Sequence, residues 1–365
     1  MKTILSHFRR FDWILVIAAV LITGIGFLAI YNSSSNGGDF SNLKKQISFF
    51  SLGLFLMIIF SFLDWRNFRN NPYLILVIYF ICILSLVLLF LFAPEVRGTK
   101  SWYRIGTISV DPVEFTKIIL IILLAKYFSM RHIEMYRMRH IFLSGAYVLL
   151  PTALIFFQPN LGSVLILLAI WLGVLIISGI KIRHFLILIL IFASLLALSW
   201  GTILKDYQKM RIVGFFMPQL TDPLETGWNQ AQSKIAIGAG GFLGQGIGNG
   251  SQTQYGFLPE SHNDFVFANI AESTGLLGVM ITLALFMILI WRIMKIAVSA
   301  NNNFPRLFAS GVIILLITQI FIHMGMNMGI LPIIGISLPL ISYGGSGLIA
   351  VFMAIGILQN IKINQ

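Results

Sequence analysis

Long apolar runs separated by short polar connections dominate this chain and restrict the folds open to it. The first run, Trp13 to Tyr31, is about as long as an α-helix must be to cross the roughly 30 Å hydrocarbon core of a bilayer. The chain is 58% hydrophobic and 10% charged, with a mean hydropathy of +0.90, which exceeds the usual composition of soluble domains. We therefore predict an all-α polytopic membrane protein that forms a single integral membrane domain over residues 1–365. Its ten predicted transmembrane helices are residues 13–31, 47–63, 72–92, 112–128, 142–157, 161–179, 184–203, 265–291, 306–330 and 343–359.

The basic residues predict how these spans are oriented. With the N-terminus in the cytoplasm, fifteen of the 25 Lys and Arg residues are cytoplasmic, nine are external and one, Lys117, lies within a span. Cytoplasmic loops are usually the more basic ones, so both termini are predicted to be cytoplasmic and the long loop at about 204–264 to be external. The formal charge of +12 is spread over short clusters and forms no single basic face, which argues against nucleic-acid binding. The single Cys82 excludes an internal disulfide.

The stretch from Gly227 to Ser273 is the least membrane-like part of the chain, and we interpret it as the functional surface of the protein. Its many glycines predict tight turns and close approach of the backbone to a ligand. Its polar part ends at Asp264, immediately before an apolar run. An aspartate there is typical of a helix N-cap, whose carboxylate accepts hydrogen bonds from the first free N–H groups of the helix. The alternative is a carboxylate that acts on a substrate, and the two roles conflict because N–H donors weaken a base.

Glu114 and Lys117 are three residues apart, so they share one face at the start of the fourth predicted span. Ionisable residues at membrane depth are costly and usually face each other or a polar cavity. One interpretation is a structural ion pair that fixes helix packing. The other is a ligand site, where the lysine would offset negative charge on a leaving pyrophosphate.

Two short external turns also carry polar groups. Gln158 begins one of them, and Ser342 and Ser346 supply hydroxyl groups to the other, beside glycines that would suit a bound phosphate. Glu272 lies deeper, where we expect an interhelical hydrogen bond. The sequence has no metal-ligand spacing, which argues against a zinc site made of protein ligands alone.

Five motifs, in order along the chain, resemble those of the SEDS family of polytopic membrane proteins. They are GTKSWYRIG with DPVEFTK at 98–117, QPNLGS at 158–163, GWNQAQSKIAIGAGGFLGQG at 227–246, FLPESHNDFVFANIAESTG at 257–275, and GILPIIGISLPLISYGGSG at 329–347. Asn160 departs from the family pattern because it replaces an aspartate there. The positions that match the family pattern are Trp102, Glu114, Lys117, Gln158, Gln232, Lys234, Asp264, Ser342 and Ser346.

The resemblance implies a peptidoglycan glycosyltransferase that polymerises lipid II at the external face of the bacterial cytoplasmic (inner) membrane, for cell elongation and cell shape. It implies that Asp264 is catalytic, acting on the acceptor sugar hydroxyl, and that undecaprenyl pyrophosphate leaves. The other eight matching positions are then expected to bind substrate. No cofactor is certain, but a divalent cation at Asp264 fits a diphosphate leaving group. The expected partners are a class B penicillin-binding protein transpeptidase, other membrane proteins of the elongation complex and membrane lipids.

Two other classes of function remain open at this point. A flippase for the lipid-linked precursor would also use many spans and a polar cavity, but it should carry polar residues along a path through the bilayer. The chain shows no internal repeat or pair of broken helices of the kind found in many transporters. A scaffold for other wall enzymes would leave Asp264 and Lys117 replaceable without loss of polymer.

Overall fold

The structure of the chain is a computed structural model that describes residues 7–35, 38–94, 101–106, 108–130, 138–202, 209, 210, 213, 215 and 226–364. Most of residues 203–225, in the predicted external loop, therefore lie outside the described residues. The elements follow in chain order: α1 (Trp13–Ser34), α2 (Ser41–Phe62), α3 (Trp65–Asn70), α4 (Pro72–Phe92), β1 (Tyr103–Ile105), β2 (Ile108–Val110), α5 (Pro112–Ser129), α6 (Met138–Phe157), α7 (Leu161–Ile177), α8 (Ile182–Thr202), α9 (Thr226–Gly240), α10 (Ser251–Gln254), α11 (Val266–Ser299), α12 (Asn303–Met328) and α13 (Gly345–Ile363).

The fold class is confirmed: the chain is an all-α polytopic membrane protein. A long helix lies at each of the ten predicted spans. Within the described part of the chain, seven helices are long and apolar enough to cross a membrane, namely α1, α2, α4, α6, α11, α12 and α13. Charged side chains interrupt α5, α7 has 17 residues, and the described apolar part of α8 is short. The count of ten spans therefore stays a prediction.

A small β-ribbon precedes α5, where we predicted no strand. β1 and β2 pair antiparallel, with Tyr103 opposite Val110 and Ile105 opposite Ile108. Each strand has three residues, which is too short for an alternating apolar pattern to stand out in the sequence. Because Tyr103 and Val110 are paired, the residues that flank them, Trp102 and Asp111, lie at the same end of the ribbon.

Helix α11 is broken at Gly275, whose φ of 65° and ψ of −165° lie outside the helical region. The chain that follows α9 fills this break. The N–H groups of Gln245 and Gly246 donate to the carbonyl oxygens of Glu272 and Ser273, at 2.9 and 3.0 Å. The N–H groups of Leu276 and Leu277 donate to the carbonyl oxygens of Gly241 and Phe242, at 2.9 and 3.1 Å. The backbone groups freed by the break are thus satisfied by protein, as they must be within a bilayer.

This arrangement corrects our interpretation of the glycine-rich stretch. A Cβ atom at Gly244 would clash with the backbone of Ser273, so the glycine permits close approach to α11 and not to a ligand. Glu272 forms the interhelical hydrogen bonds that we expected. Its carboxylate is fully buried and accepts hydrogen bonds from the N–H groups of Gln252 and Thr253 at 2.7 and 3.1 Å, at the start of the short helix α10.

The two ends of the chain meet at one end of the helix bundle. The Asp12 N–H donates to Gln359 Oε1 at 2.8 Å, and the Trp65 N–H donates to Asn360 Oδ1 at 3.0 Å. Arg292 forms an ion pair with the Asp12 carboxylate at 2.6 Å. The other end of α1 contacts the loop before α11, where Ser33 and Ser261 share a hydrogen bond at 2.5 Å. The loop that carries Asp264 therefore lies at the end of the bundle opposite to the described chain ends.

Candidate active site

A cavity of about 450 Å³ opens at that end, between the β-ribbon, α5, the loop before α11 and the start of α13. Six acidic or basic side chains line it, four carboxyl groups and two cations: Arg104, Asp111, Glu114, Lys117, Glu260 and Asp264. Trp102, Asn263, Ser342 and Ser346 also contribute to its wall. Four of the five motifs, all except 227–246, thus meet in one place, although they are far apart in the sequence.

Asp264 lies in the wall of this cavity, and it is not the N-cap of α11. Phe265 holds the N-cap position, and its side chain makes no capping hydrogen bond. A side chain from α12 takes over that role: Asn327 Oδ1 accepts a hydrogen bond from the Ala268 N–H at 3.2 Å. The N-cap interpretation of Asp264 is therefore wrong, because the N-cap position belongs to the next residue.

The same Asn327 side chain holds Asp264 in position. Its Nδ2 donates to the main-chain oxygen of Asp264 at 2.9 Å and to that of His323 at 2.8 Å. Asn327 is fully buried in the last turn of α12. Asp264 also lies beside Gly335, where a Cβ atom would come 3.6 Å from Oδ2. We did not predict a role for Asn327, because one polar residue near the end of an apolar helix gives no signal of its partner.

Glu114 and Lys117 form the ion pair that their spacing predicted. Lys117 Nζ lies 2.7 Å from Glu114 Oε1, and the lysine side chain is only 1% exposed. Both residues line the cavity, so the ion pair and a ligand-site role are compatible. Within the pair, Lys117 is the more deeply buried partner, since Glu114 is 16% exposed.

Asp111 is a cavity residue that we did not predict. Its Oδ1 accepts a hydrogen bond from the Val113 N–H at 2.8 Å and thereby caps α5. Burial raises the pKa of this carboxyl to about 7, and the nearby charge of Glu114 adds to the effect. The spacing in the sequence could have indicated that Asp111 belongs to the same site, because Asp111 precedes Glu114 by three residues, just as Glu114 precedes Lys117.

Ser342 and Ser346 both bind backbone groups. Ser342 Oγ donates to the Asn263 carbonyl oxygen at 3.0 Å and accepts from the Leu338 N–H at 2.8 Å. Ser346 Oγ accepts from the Asp111 N–H at 2.8 Å. Ser342 thus holds the Asp264 loop against the segment before α13, and Ser346 holds the start of α5 against the first turn of α13. The N-terminus of α13 faces the same cavity, and Gly344 at its N-cap position provides no side-chain cap.

Three predicted substrate-binding residues do not line the cavity. Gln158 is buried, and its Nε2 donates to the Leu86 carbonyl oxygen of α4 at 2.8 Å. Gln232 is buried in α9, beside Ser233, whose hydroxyl donates to the Asn327 carbonyl oxygen at 2.8 Å. Lys234 lies against Gly329 at the C-terminal end of α12, where a cation is favourable. These positions support the packing around the site.

The described residues contain no group of three or more His, Cys, Asp or Glu side chains arranged to hold a metal ion. Oxygen donors for a cation are nevertheless present. Asp264 and its neighbour Asn263 both line the cavity, and Asn263 Oδ1 is buried without a hydrogen-bond partner. Magnesium needs few protein ligands when substrate phosphates complete its coordination, so these two residues fit such an ion.

Comparisons with known proteins show which family the chain belongs to. Residues 12–365 match the FtsW, RodA and SpoVE family model, described as "Cell cycle protein". The chain is 34% identical to the peptidoglycan glycosyltransferase MrdB of Escherichia coli K12, over 96% of this chain and 93% of that protein. A chain in a structure on the coordination of polymerization and crosslinking by a peptidoglycan synthase complex is 30% identical, with a TM-score of 0.82 over 97% of this chain and 98% of that one. The crystal structure of Thermus thermophilus RodA gives 27% identity and a TM-score of 0.71 over 96% of each chain. This chain therefore belongs to the FtsW, RodA and SpoVE family, which is the SEDS family that its motifs resemble.

Proposed function

We propose that this protein is a peptidoglycan glycosyltransferase that polymerises lipid II into glycan strands during cell elongation. One observation carries the proposal: the cavity brings the carboxylate of Asp264 together with the Glu114–Lys117 pair and the uncapped start of α13. A polymerase of this kind needs a base for the acceptor hydroxyl and positive charge for the diphosphate. Related chains named for this activity cover nearly the whole sequence.

In the proposed reaction, Asp264 accepts the proton of the acceptor sugar 4-hydroxyl as that oxygen attacks the anomeric carbon of the growing chain. The bond from that carbon to the diphosphate oxygen breaks, and undecaprenyl pyrophosphate leaves with inversion. A positioned base typically contributes a factor of about 100 to 10,000 in rate. Asn327 orients Asp264 by holding its main-chain oxygen.

Lys117 and the N-terminus of α13 stabilise the negative charge of the leaving diphosphate in this proposal. Both present positive charge to the cavity, the first as an ammonium group and the second as free N–H groups with the helix dipole behind them. Charge that builds on the diphosphate in the transition state is stabilised most where water is excluded. Trp102, at the end of the β-ribbon, offers an aromatic surface to the sugar or lipid part of the substrate. If a divalent cation binds, Asp264 and Asn263 would hold it and it would neutralise diphosphate charge.

The cellular setting follows from the same proposal. The multi-pass chain lies in the bacterial cytoplasmic membrane, with the cavity external and both chain ends cytoplasmic, as the basic residues predict. A class B penicillin-binding protein is the proposed partner, because a glycan strand leaving one site must reach a transpeptidase. The similar chain from a complex that coordinates polymerization and crosslinking supports this partner.

The break in α11 does not favour a flippase. A broken helix often marks the substrate site of a transporter. Here the residues that fill the break, from Gly241 to Gly246, are not part of the cavity wall. The ionisable cavity residues lie towards one end of the bundle, as a polymerase acting at one membrane face requires.

The test is polymerisation of purified lipid II by the purified protein, alone and with its partner transpeptidase, for wild type and Asp264→Asn. Because Asp264 does not cap α11, the Asn variant should keep wild-type thermal stability, and it should lose more than about 100-fold in rate. Near wild-type polymerisation by this variant would move the chemistry to another residue. Wild-type protein that binds lipid II with its partner yet makes no glycan would favour a flippase or a scaffold.

A further inference from the structure

Asp111 is a buried carboxyl group of the cavity to which the proposed reaction assigns no task. Two of its groups are committed to structure: Oδ1 accepts from the Val113 N–H and its own N–H donates to Ser346 Oγ, each at 2.8 Å. The second contact joins Asp111 to the first turn of α13, which begins at Gly345. Its carboxyl group therefore lies beside the helix N-terminus at which the diphosphate is proposed to bind.

The charges around Asp111 are unfavourable for an anion when every carboxyl group is ionised. The ionisable groups of the cavity wall are Arg104 from β1, Glu114 and Lys117 from α5, Glu260 and Asp264 from the loop before α11, and the Tyr343 hydroxyl before α13. α2 and α7 contribute uncharged residues, Phe49 and Ser163 among them. With Asp111 included, four carboxylates face two cations. A diphosphate diester would add two more negative charges to this enclosed space.

Protonation of one carboxyl group removes part of this repulsion, and Asp111 is the group best placed to take the proton. Glu114 already has Lys117 as its ion-pair partner, at 2.7 Å. Asp264 must be ionised to act as a base. Asp111 has no cation as a direct partner among the contacts described, and burial raises its pKa to about 7, so it can gain or lose a proton near neutral pH.

We propose that Asp111 takes up a proton when a diphosphate-bearing substrate enters the cavity, which makes this residue the source of pH dependence in substrate binding. The inference rests on the proposed function, because it takes the diphosphate to bind at the start of α13. Neutral Asp111 keeps its cap, since Oδ1 still accepts from Val113, and its new O–H can donate to a phosphate oxygen. As the pH rises through about 7, Asp111 in the empty cavity loses its proton. Binding of the diphosphate must then restore that proton, so the affinity for the substrate falls with rising pH.

Calorimetric titration at pH 7.5 with a short-chain polyprenyl diphospho-sugar tests this. Both acidic groups of that probe are ionised throughout the pH range, so it contributes no proton of its own. Comparison of Tris and HEPES buffers, which differ in ionisation enthalpy, gives the number of protons bound. Because burial raises the pKa of Asp111 to about 7, near the pH of the titration, wild type should take up a measurable fraction of a proton per probe. Its Kd should rise up to about tenfold per pH unit above pH 7.5.

Asp111→Asn should abolish the proton uptake and the pH dependence of Kd, and should bind the probe about tenfold more tightly than wild type at pH 8. Asn is also a good N-cap, so the variant should fold. Asp39→Asn is the matched control, because Asp39 is exposed, lies outside the cavity and also accepts a hydrogen bond from a following backbone N–H. It should behave as wild type.

The outcomes separate this inference from the proposed function. Binding by wild type without proton uptake, or equal uptake by Asp111→Asn, would overturn the role of Asp111 and leave the substrate site standing. Failure of wild type to bind the probe would overturn the substrate site and, with it, this inference.

Discussion

Asn327 provides a sharp test of how the cavity positions its proposed base. Its side chain makes three hydrogen bonds: two buried ones, to the main-chain oxygen of His323 and from the Ala268 N–H, and a partly buried one to the main-chain oxygen of Asp264. Asn327→Ala removes all three. Loss of the acceptor for the Ala268 N–H resembles the loss of an N-cap, at about 1 kcal/mol. The partly buried Asp264 oxygen, left without this donor, adds a cost of about 1–3 kcal/mol. We therefore expect the free energy of unfolding to fall by about 2–4 kcal/mol in total.

The activity of this variant should fall by more than its stability explains. At a temperature where Asn327→Ala is still folded, the loop that carries Asp264 has lost its anchor to α12. A displacement of about 1 Å at a reacting group can cost about 100-fold in rate. We expect kcat for lipid II polymerisation to fall about 10- to 100-fold with KM nearly unchanged, because the diphosphate is held by other residues.

Ser233→Ala is the matched control for Asn327→Ala. The Ser233 hydroxyl donates to the main-chain oxygen of Asn327 at 2.8 Å, so its removal weakens the same junction without touching Asp264. It should cost about 1 kcal/mol of stability and leave kcat near that of wild type. Thermal unfolding in detergent and initial rates of glycan synthesis measure the two effects. The reasoning fails if folded Asn327→Ala keeps wild-type kcat, or if Ser233→Ala loses activity to the same extent.

Three further predictions follow from particular contacts. Lys117→Met should abolish most polymerisation and lower the melting temperature, because Glu114 loses the partner at 2.7 Å; a less stable but fully active variant would restore a purely structural ion pair. Gly275→Ala should prevent accumulation of folded protein in membranes, because φ at Gly275 is +65° and the backbone of Gly244 and Phe242 fills the space of a Cβ atom. Gly24→Ala is the control and should fold normally, because a Cβ atom there would meet nothing within 4 Å. Tyr255→Cys should react with an impermeant thiol reagent added outside the cell, since Tyr255 is 73% exposed and lies in the proposed external loop. Asn301→Cys, in the proposed cytoplasmic connection between α11 and α12, should not react, and the reverse pattern would invert the proposed topology.

The features that the sequence predicts well are those set by local spacing. Apolar runs long enough for a bilayer become helices, because every backbone polar group in lipid must be satisfied within the segment. Glu114 and Lys117, three residues apart on a helix, form their ion pair within one turn. The gathering of polar groups at one end also follows from the chain alone, since consecutive spans must return the chain to alternate faces.

The features that could not be predicted depend on contacts between distant segments. The glycines from Gly240 to Gly246 read as a ligand-binding loop, yet they serve the backbone of α11 at its break. The family resemblance implies that Lys234 binds substrate, and the structure places it at the C-terminal end of α12, outside the cavity wall. The position of Asp264 immediately before an apolar run predicts an N-cap. In the structure, the acceptor for the Ala268 N–H in the first turn of α11 is instead the side chain of Asn327, on another helix. In each case the residue type was right for the local pattern, and the partner was decided by tertiary packing.

The cavity itself is assembled by hydrogen bonds of this long-range kind. Ser346 accepts a hydrogen bond from the Asp111 N–H. Ser342 and Asn327 donate to the carbonyl oxygens of Asn263 and Asp264. The carboxyl groups of Asp111 and Asp264 are therefore both positioned by hydrogen bonds to the backbone at or next to them. Loss of activity in Ser342→Ala would therefore not by itself identify Ser342 as a substrate ligand, because the variant also releases the loop that carries Asp264. A ligand role requires weaker binding of the diphospho-sugar probe. A positioning role predicts unchanged probe affinity with a lower kcat, since the diphosphate site at α13 and Lys117 stays intact while the base moves.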